Sequence, residues 1–281
     1  MSDRAAQLAA RLPERYSFRS VIGRGAAAYV VLADDLETKR EVAVKILRPQ
    51  VATVVGEKRF QREIEILQQL DHPNILPLLD HGAVQRLSLY LATPFVVGEN
   101  LATRIKREKR LSVGDATAVA SQVASALDYA HGRGVIHRDI KPANILLSDG
   151  RVVLADFGIS RAMAVDESTQ ITRTGVALGT PEYMSPEQIL GVSTLDARSD
   201  IYALGCVVYE MLAGSPPFTG ATARDIFRGH RTKTPESIRA IRPEVPPTVE
   251  KAVMRSLAKE RDARFPSAGE FARELRLIGA V

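Results

Sequence analysis

The sequence predicts an α+β chain, a small β-rich lobe followed by a larger, mostly helical one. From Tyr16 to about Leu91, alternating and β-branched runs dominate ("SVIGRG", "YVVLADD", "EVAVKIL", "ILPLLDHG", "LSLYLA"), interrupted by one helical pattern, "EKRFQREIEILQQL". After "VVGENL" the period becomes helical: in "DATAVASQVASALDYAHGRG", Val119, Val123, Leu127 and Ala130 recur at helical spacing, and Gly132 and Gly134 stand where a helix would stop. The boundary is expected near Phe95 to Gly98, where an extended segment meets a glycine. That gives an N-terminal extension over 1–15, a first lobe over 16–96 and a second over 97–281.

Composition narrows the class. With 281 residues, 45% hydrophobic and 25% charged, the chain is long enough for two lobes with real cores and belongs among globular proteins. The most apolar helical run, "IYALGCVVYEMLAG", is interrupted by Glu210, so no membrane contact is expected of this segment, and "MSDRAAQLAARLPER" lacks the apolar stretch of a signal peptide. The single cysteine, Cys206, lies in that apolar run and reads as a buried thiol in a reducing cytoplasm. The net charge is +5, but the basic residues are dispersed and aromatics make up only 5%, so no nucleic-acid partner is expected. Of the 38 basic residues only 9 are lysine, which makes each lysine inside a motif worth examining.

Along the chain, the first residues read as a short helix ending before Pro13, an appendage rather than a core element. Then "VIGRGAAAYVVLADD" reads as strand, glycine turn and strand, with Gly23 and Gly25 present and Ala28 where a phosphate-binding pattern would have a third glycine. In "EVAVKIL", period 2 puts Ala43, Lys45 and Leu47 on one face and Val42, Val44 and Ile46 on the other. A lysine so flanked is either snorkelling at a sheet edge or aimed at an anion. In the following helix Phe60, Ile64 and Leu67 form an apolar stripe with Glu63 on its edge. A carboxylate facing a core needs a partner, and Lys45 is the nearest candidate.

The densest chemistry lies in "VIHRDIKPANILL" and "RVVLADFGIS", which offer Asp139, Lys141, Asn144 and Asp156 within 18 residues, between apolar runs that read as buried strands. Asn144 and Asp156 are hard oxygen ligands suited to Mg²⁺, which takes few protein ligands and completes its shell with water and phosphate. Asp139 is then left to accept a hydroxyl proton, and Lys141 to neutralise developing phosphate charge. Solvated turn residues would explain any one of these but not the set at this spacing.

On these motifs the chain resembles the bacterial branch of the eukaryotic-like (Hanks-type) serine/threonine protein kinases, from about Tyr16 to Gly279. The resemblance implies the bilobal protein-kinase fold: a small antiparallel sheet with one regulatory helix, then a larger helical lobe. It implies transfer of the γ-phosphoryl of ATP, with Mg²⁺ or Mn²⁺, to serine or threonine of protein substrates. It makes Lys45 the α/β-phosphate binder paired with Glu63, Asp139 the base, Lys141 the γ-phosphate contact, and Asn144 and Asp156 the metal ligands, with Phe157 beneath the helix that carries Glu63. Gly23 and Gly25 would cover the phosphates, Val30 and Ala43 lie above adenine and Leu146 below it, Thr93 is the gatekeeper, and Pro94 to Val96 form the hinge. Pro94 lacks an N–H, but the family uses the carbonyl there and the N–H of Val96. "SPE" replaces the usual Ala-Pro-Glu, and Glu187 should pair with Arg264. Asp200 should brace the catalytic-loop backbone, and Tyr202 stands where many members have tryptophan.

Arg138, beside Asp139, implies control by a phosphate on the segment between Asp156 and Glu187. Offset from "GTPEYMSPEQ" puts Thr172 and Thr174 at the autophosphorylated pair and Thr180 at the substrate site, in contact with Asp139 and Lys141. The glycine-poor hairpin tip is expected to cover the phosphates loosely. Two other classes compete: a non-catalytic binding scaffold, disfavoured because the set from Lys45 to Asp156 is present, and a small-molecule phosphotransferase, disfavoured by Lys141 and the long Ser/Thr-rich segment. A homodimer through the first lobe, and a longer parent with sensor, repeat or membrane-anchoring segments after "SAGEFARELRLIGA", are both compatible with the sequence.

Overall fold

The structure, a computed structural model, describes residues 4–55, 57–84, 88–157 and 180–276, with only the backbone of Val54, Val55, Glu57, Lys58, Arg59, Arg62 and Glu63. Two compact units result. One gathers the described residues up to Asp71 with Leu76–Val97; the other gathers His72–Ile75 with those from Gly98 on.

The first unit is an antiparallel five-stranded sheet, order β1-β2-β3-β5-β4, formed by β1 (Tyr16–Arg24), β2 (Ala28–Asp35), β3 (Arg40–Leu47), β4 (Asp80–Val84) and β5 (Ser88–Pro94). Three helices accompany it: α1 (Arg4–Ala9), α2 (Pro49–Val55) and α3 (Glu57–Leu67). The β3 alternation is the one expected, with Val42, Val44 and Ile46 buried and Ala43 and Lys45 half-buried on the opposite face. α1 departs from expectation. Ala5, Leu8, Ala9 and Leu12 are buried in one core with Tyr16, Val31, Ala33 and Val44, so the extension completes the sheet's apolar face rather than hanging from it. Their i, i+3, i+4, i+7 spacing is an amphipathic stripe whose counterpart only the folded sheet supplies. The edge of the sheet is tied by the bidentate pair of Arg15 with Asp35, at 2.9 and 2.7 Å, and by Tyr16 and Tyr90, both donating to Asp80 at 2.6 and 2.9 Å.

The second unit contains a small sheet, β6 (Glu99–Asn100), β7 (Ile145–Ser148) and β8 (Arg151–Leu154), and helices α4 (Leu101–Glu108), α5 (Val113–His131), α6 (Pro186–Ile189), α7 (Ala197–Ala213), α8 (Ala223–Thr232), α9 (Ile238–Ile241), α10 (Pro247–Ser256) and α11 (Ala268–Arg276). Capping explains the ends. Asn100, Ser112, Asp196 and Thr222 accept backbone N–H groups at the starts of α4, α5, α7 and α8, and Gly214, at φ 90°, closes α7.

α7 is buried on every side from Ser199 to Tyr209, where α5, α9, α10 and α11 pack on it, and Cys206 is among its fully buried residues. Gly205 lets α10 approach, since a Cβ there would lie 2.1 Å from Ser256 Oγ. Gly98, at φ 147°, is required for a different reason: its Cβ would meet the Leu147 carbonyl oxygen at 2.0 Å. Among the described residues no helix is long and apolar enough to cross a membrane.

Candidate active site

In the second unit, the segment from His131 to Phe157 is held by buried polar groups. Asp200, 1% exposed on α7, accepts the His137 N–H on Oδ2 and the Arg138 N–H on Oδ1, each at 2.8 Å, and His131 Nε2 lies 2.8 Å from Oδ2. Burial alone would push the Asp200 carboxyl up; its hydrogen bond to His131 and the neighbouring imidazoles outweigh burial and hold it below the usual range. The His137 ring accepts the Asp139 N–H on Nδ1 at 3.2 Å and pairs through Nε2 with the Ala155 carbonyl at 2.9 Å, a tautomer assigned from those partners. Phe157 packs against the same ring at a tilt of 59°, centroids 4.5 Å apart. Arg138 and Asp156 both adopt left-handed backbone, at φ 69° and 67°, conformations that persist only where the surroundings over-determine them.

This scaffold brings three of the expected residues together. Lys141 Nζ lies 2.7 Å from Asp139 Oδ2, and Asn144 Nδ2 donates to the same oxygen at 3.1 Å and to the Asp139 carbonyl at 2.9 Å. Asp139 Oδ1 takes no side-chain hydrogen bond among the described residues. The Asn144 amide nitrogen is committed to Asp139, which leaves Oδ1 of Asn144 for a cation. The Ala155 N–H donates to the Asn144 carbonyl at 2.9 Å, so Asp156 follows directly on a residue tied to Asn144. That pair of hard oxygen donors fits a divalent cation that draws its other ligands from phosphate and water. No group of three or more His, Cys, Asp or Glu among the described residues could hold a metal by itself.

Leu146 lies half-buried in β7, paired with Asn100 and Val153. Thr180 begins the 3₁₀ turn Pro181–Tyr183, and among the described residues its hydroxyl bonds neither Asp139 nor Lys141. Thr172 and Thr174 lie outside the described residues.

In the first unit, Val30, Ala43, Lys45 and Thr93 share the half-buried face of the sheet: Val30 pairs with Lys45 and Ala43 with Thr93, whose hydroxyl lies 3.4 Å from the Ala43 carbonyl. Val96 follows β5, half-buried; the Glu63 side chain lies outside the described residues. The hairpin tip is tied down rather than loose. The Gly25 N–H donates to the Ala28 carbonyl at 2.9 Å, Arg48 Nε to the Gly25 carbonyl at 3.0 Å, and the Arg48 N–H to the Ala27 carbonyl at 2.8 Å. The Arg48 guanidinium also sits 4.5 Å from the Tyr29 ring centroid. Gly23 admits Val30, whose Cβ would lie 3.2 Å from a Cβ added there. Ala28 is an ordinary strand residue, 5% exposed and outside the positive-φ set, so alanine costs nothing in backbone strain.

Glu187 and Arg264 form the expected pair, fork to fork at 2.7 and 2.8 Å. Arg264 spends its remaining donors on the carbonyls of Ala258, Arg198 and Lys259, so all five guanidinium N–H groups are satisfied in a side chain with no exposure. Burial would raise the Glu187 carboxyl, but Arg264 and the Ser199 hydroxyl, 2.6 Å away, hold it below its ordinary value.

Three contributors escaped sequence reasoning. His131 braces Asp200; Gln188 Nε2 donates to the Arg138 carbonyl at 2.8 Å; Ser199 caps Glu187. Gln188 had a visible signal, because "SPEQ" is a capping box, with Ser185 and Gln188 bonded reciprocally. The other two carry none.

Comparison with known proteins identifies the family. The profile described as "Protein kinase domain" matches residues 16–271. A probable serine/threonine-protein kinase PknB of Bifidobacterium longum is 40% identical over 268 residues, covering 92% of this chain and 38% of the relative. The serine/threonine-protein kinase pkn3 of Myxococcus xanthus is 37% identical, covering 94% of this chain and 50% of the relative. The chain thus spans half or less of the length of these curated relatives. Among solved structures, the Mycobacterium tuberculosis PknI kinase domain aligns with TM-score 0.73 and 30% identity, covering 93% of this chain and 95% of that one. With a match over most of its length and these relatives, the chain belongs to the protein kinase domain family, in its bacterial serine/threonine branch.

Proposed function

We propose that this chain transfers the γ-phosphoryl group of ATP to serine and threonine hydroxyls of protein substrates, using Mg²⁺ or Mn²⁺, and that it phosphorylates its own segment at Thr172 or Thr174. The family uses ATP and a divalent metal ion; the choice of ion and the residue roles are part of this reading. The observation that carries it is the arrangement around Asp139. Lys141 and Asn144 both engage Oδ2, at 2.7 and 3.1 Å, which orients the carboxylate and leaves Oδ1 to accept the substrate hydroxyl's proton.

Lys141 would meet a γ-phosphoryl oxygen while remaining beside Asp139, and Thr180 would face the incoming residue. Asn144 Oδ1 and the Asp156 carboxylate would hold the cation. When bound, the ion neutralises phosphate charge and aligns the transferring group. Lys45, with Glu63, would hold the α- and β-phosphates, while Gly23, Gly25, Val30, Ala43, Thr93, Val96 and Leu146 would enclose the nucleotide. Catalysis of this kind is positioning and charge stabilisation, with little covalent chemistry from the protein.

The test is intact mass after incubating dephosphorylated protein with Mg·ATP. Stepwise single-phosphate gains are expected, lost in Asp139→Asn and reduced in the Thr172→Ala, Thr174→Ala double variant. An unchanged wild-type mass, with a model peptide also left unmodified, would overturn the reading.

A further inference from the structure

His230 on α8 is fully buried, and no step of the proposed reaction uses it. Tyr202 Oη on α7 lies 2.8 Å from its Nδ1, and the Phe218 ring meets the imidazole edge-on with centroids 4.9 Å apart. Gly229 makes room for Phe218, since a Cβ there would lie 2.9 Å from Phe218 Cβ. The 3₁₀ turn Pro181–Tyr183 packs on both α7 and α8, and Thr180 stands directly before it. One anchor of that turn is formed already: Tyr183 Oη donates to Glu210 Oε2 on α7 at 2.6 Å.

Burial, with the Lys259 cation, lowers the His230 pKa to about 4, against the opposing pull of the Glu182 and Pro181 carbonyls. Burial also holds the Tyr202 hydroxyl well above its ordinary value, so a phenol meets a neutral imidazole that carries one N–H. Nδ1 is taken by Tyr202, which leaves Nε2 for those carbonyls. With the proton on Nδ1, Nε2 would turn a lone pair toward carbonyl oxygens. With Tyr202 donating to Nδ1, the N–H is on Nε2 and meets acceptors, and this is the tautomer assigned. Yet Nε2 forms no hydrogen bond among the described residues. A buried donor that faces acceptors without engaging them has room to close, and hydrogen bonds at working sites are often long until substrate arrives.

We propose that His230 is a positioning residue for the protein substrate: its Nε2–H holds the carbonyls of the Pro181–Tyr183 turn and so sets Thr180 against the incoming serine or threonine. The inference rests on the reading of Thr180 as a substrate-site residue. Tyr202 enters as the group that keeps the N–H on Nε2, which gives its hydroxyl a function in the same unit.

The test follows phosphorylation of a synthetic peptide, residues 166–179 of this chain, by the folded full chain with Mg·ATP. Two replacements divide the imidazole between them. His230→Asn puts its amide at the place of Nδ1 and can still bond Tyr202, but it loses the donor toward the turn. His230→Gln puts an NH₂ where Nε2 was. In the asparagine variant kcat/KM for the peptide is expected to fall about tenfold, with KM for ATP and peptide-independent ATP hydrolysis within about twofold of wild type. The glutamine variant should stay within about threefold of wild type on the peptide. An asparagine variant as active as wild type, equal impairment of the two variants, or a KM for ATP that rises as much as the peptide's kcat/KM falls would each overturn the inference while leaving phosphoryl transfer by the wild type standing. A wild type that leaves the peptide unmodified would overturn the functional reading and the inference with it.

Discussion

Asp200 accepts the Arg138 N–H at 2.8 Å while Arg138 holds a φ of 69°, so a buried carboxylate on α7 fixes a strained residue beside the proposed base. Left-handed backbone at a non-glycine residue costs about 1 kcal/mol or more and relaxes when its support is removed. Asp200→Asn keeps one acceptor but turns an amide NH₂ toward either His137 or Arg138. We expect kcat for peptide phosphorylation to fall by about 10²-fold with KM for ATP changed little, because the loss is one of positioning. Steady-state kinetics decide it; an unchanged kcat would show that the strained loop needs no bracing.

Arg264 and Glu187 should behave as one unit. Removing one partner of a buried pair leaves an uncompensated charge, at about 3–5 kcal/mol. Arg264→Lys, which keeps the charge but loses the five-donor fork, should be nearly as damaging to the melting temperature as Arg264→Met. A lysine variant as stable as wild type would show that charge alone suffices.

Acid stability should decline in two stages. His230 is buried, with Tyr202 Oη at 2.8 Å from its Nδ1, and burial lowers its pKa to about 4. Between that value and the ordinary pKa of about 6.5, the unfolded state binds the proton and the folded state does not, so stability falls as pH drops through this window. Glu187, Asp200 and Asp35 are held below their ordinary values, so their contribution is present above the ordinary carboxylate range and is lost at lower pH. Urea unfolding at pH 7, 5 and 3.5 measures both stages, and His230→Gln should flatten the first.

The hairpin tip offers a prediction opposite to the one its composition invites. Because Arg48 ties Gly25 and Ala27, Arg48→Ala should raise KM for ATP severalfold, whereas Ala28→Gly should leave activity within a few fold and cost about 0.5–1 kcal/mol of strand stability. ATP titrations of both variants check this. A collapse with Ala28→Gly would show that the alanine is structurally required.

Glycine replacement separates two kinds of close contact. Gly98→Ala meets the Leu147 carbonyl at a strained φ, and Gly205→Ala meets Ser256 Oγ. Both should lower the melting temperature; adding Ser256→Gly should rescue Gly205→Ala in part, while no side-chain deletion should rescue Gly98→Ala.

The sequence by itself determined the class of the fold and most of the proposed site. Period-2 and period-3.6 patterns are local, and the motif residues from Asp139 to Asp156 are close along the chain, so spacing alone made both legible. Even Glu187 and Arg264, 77 positions apart, were legible through motif resemblance. What only tertiary structure decided is what distant residues do for those motifs: α1 completing the first core, His131 and Ser199 bracing carboxylates, Arg48 fastening the hairpin. In each case the deciding quantity is burial or a partner far along the chain, and a side chain's desolvation and hydrogen bonds exist only once the elements around it have packed.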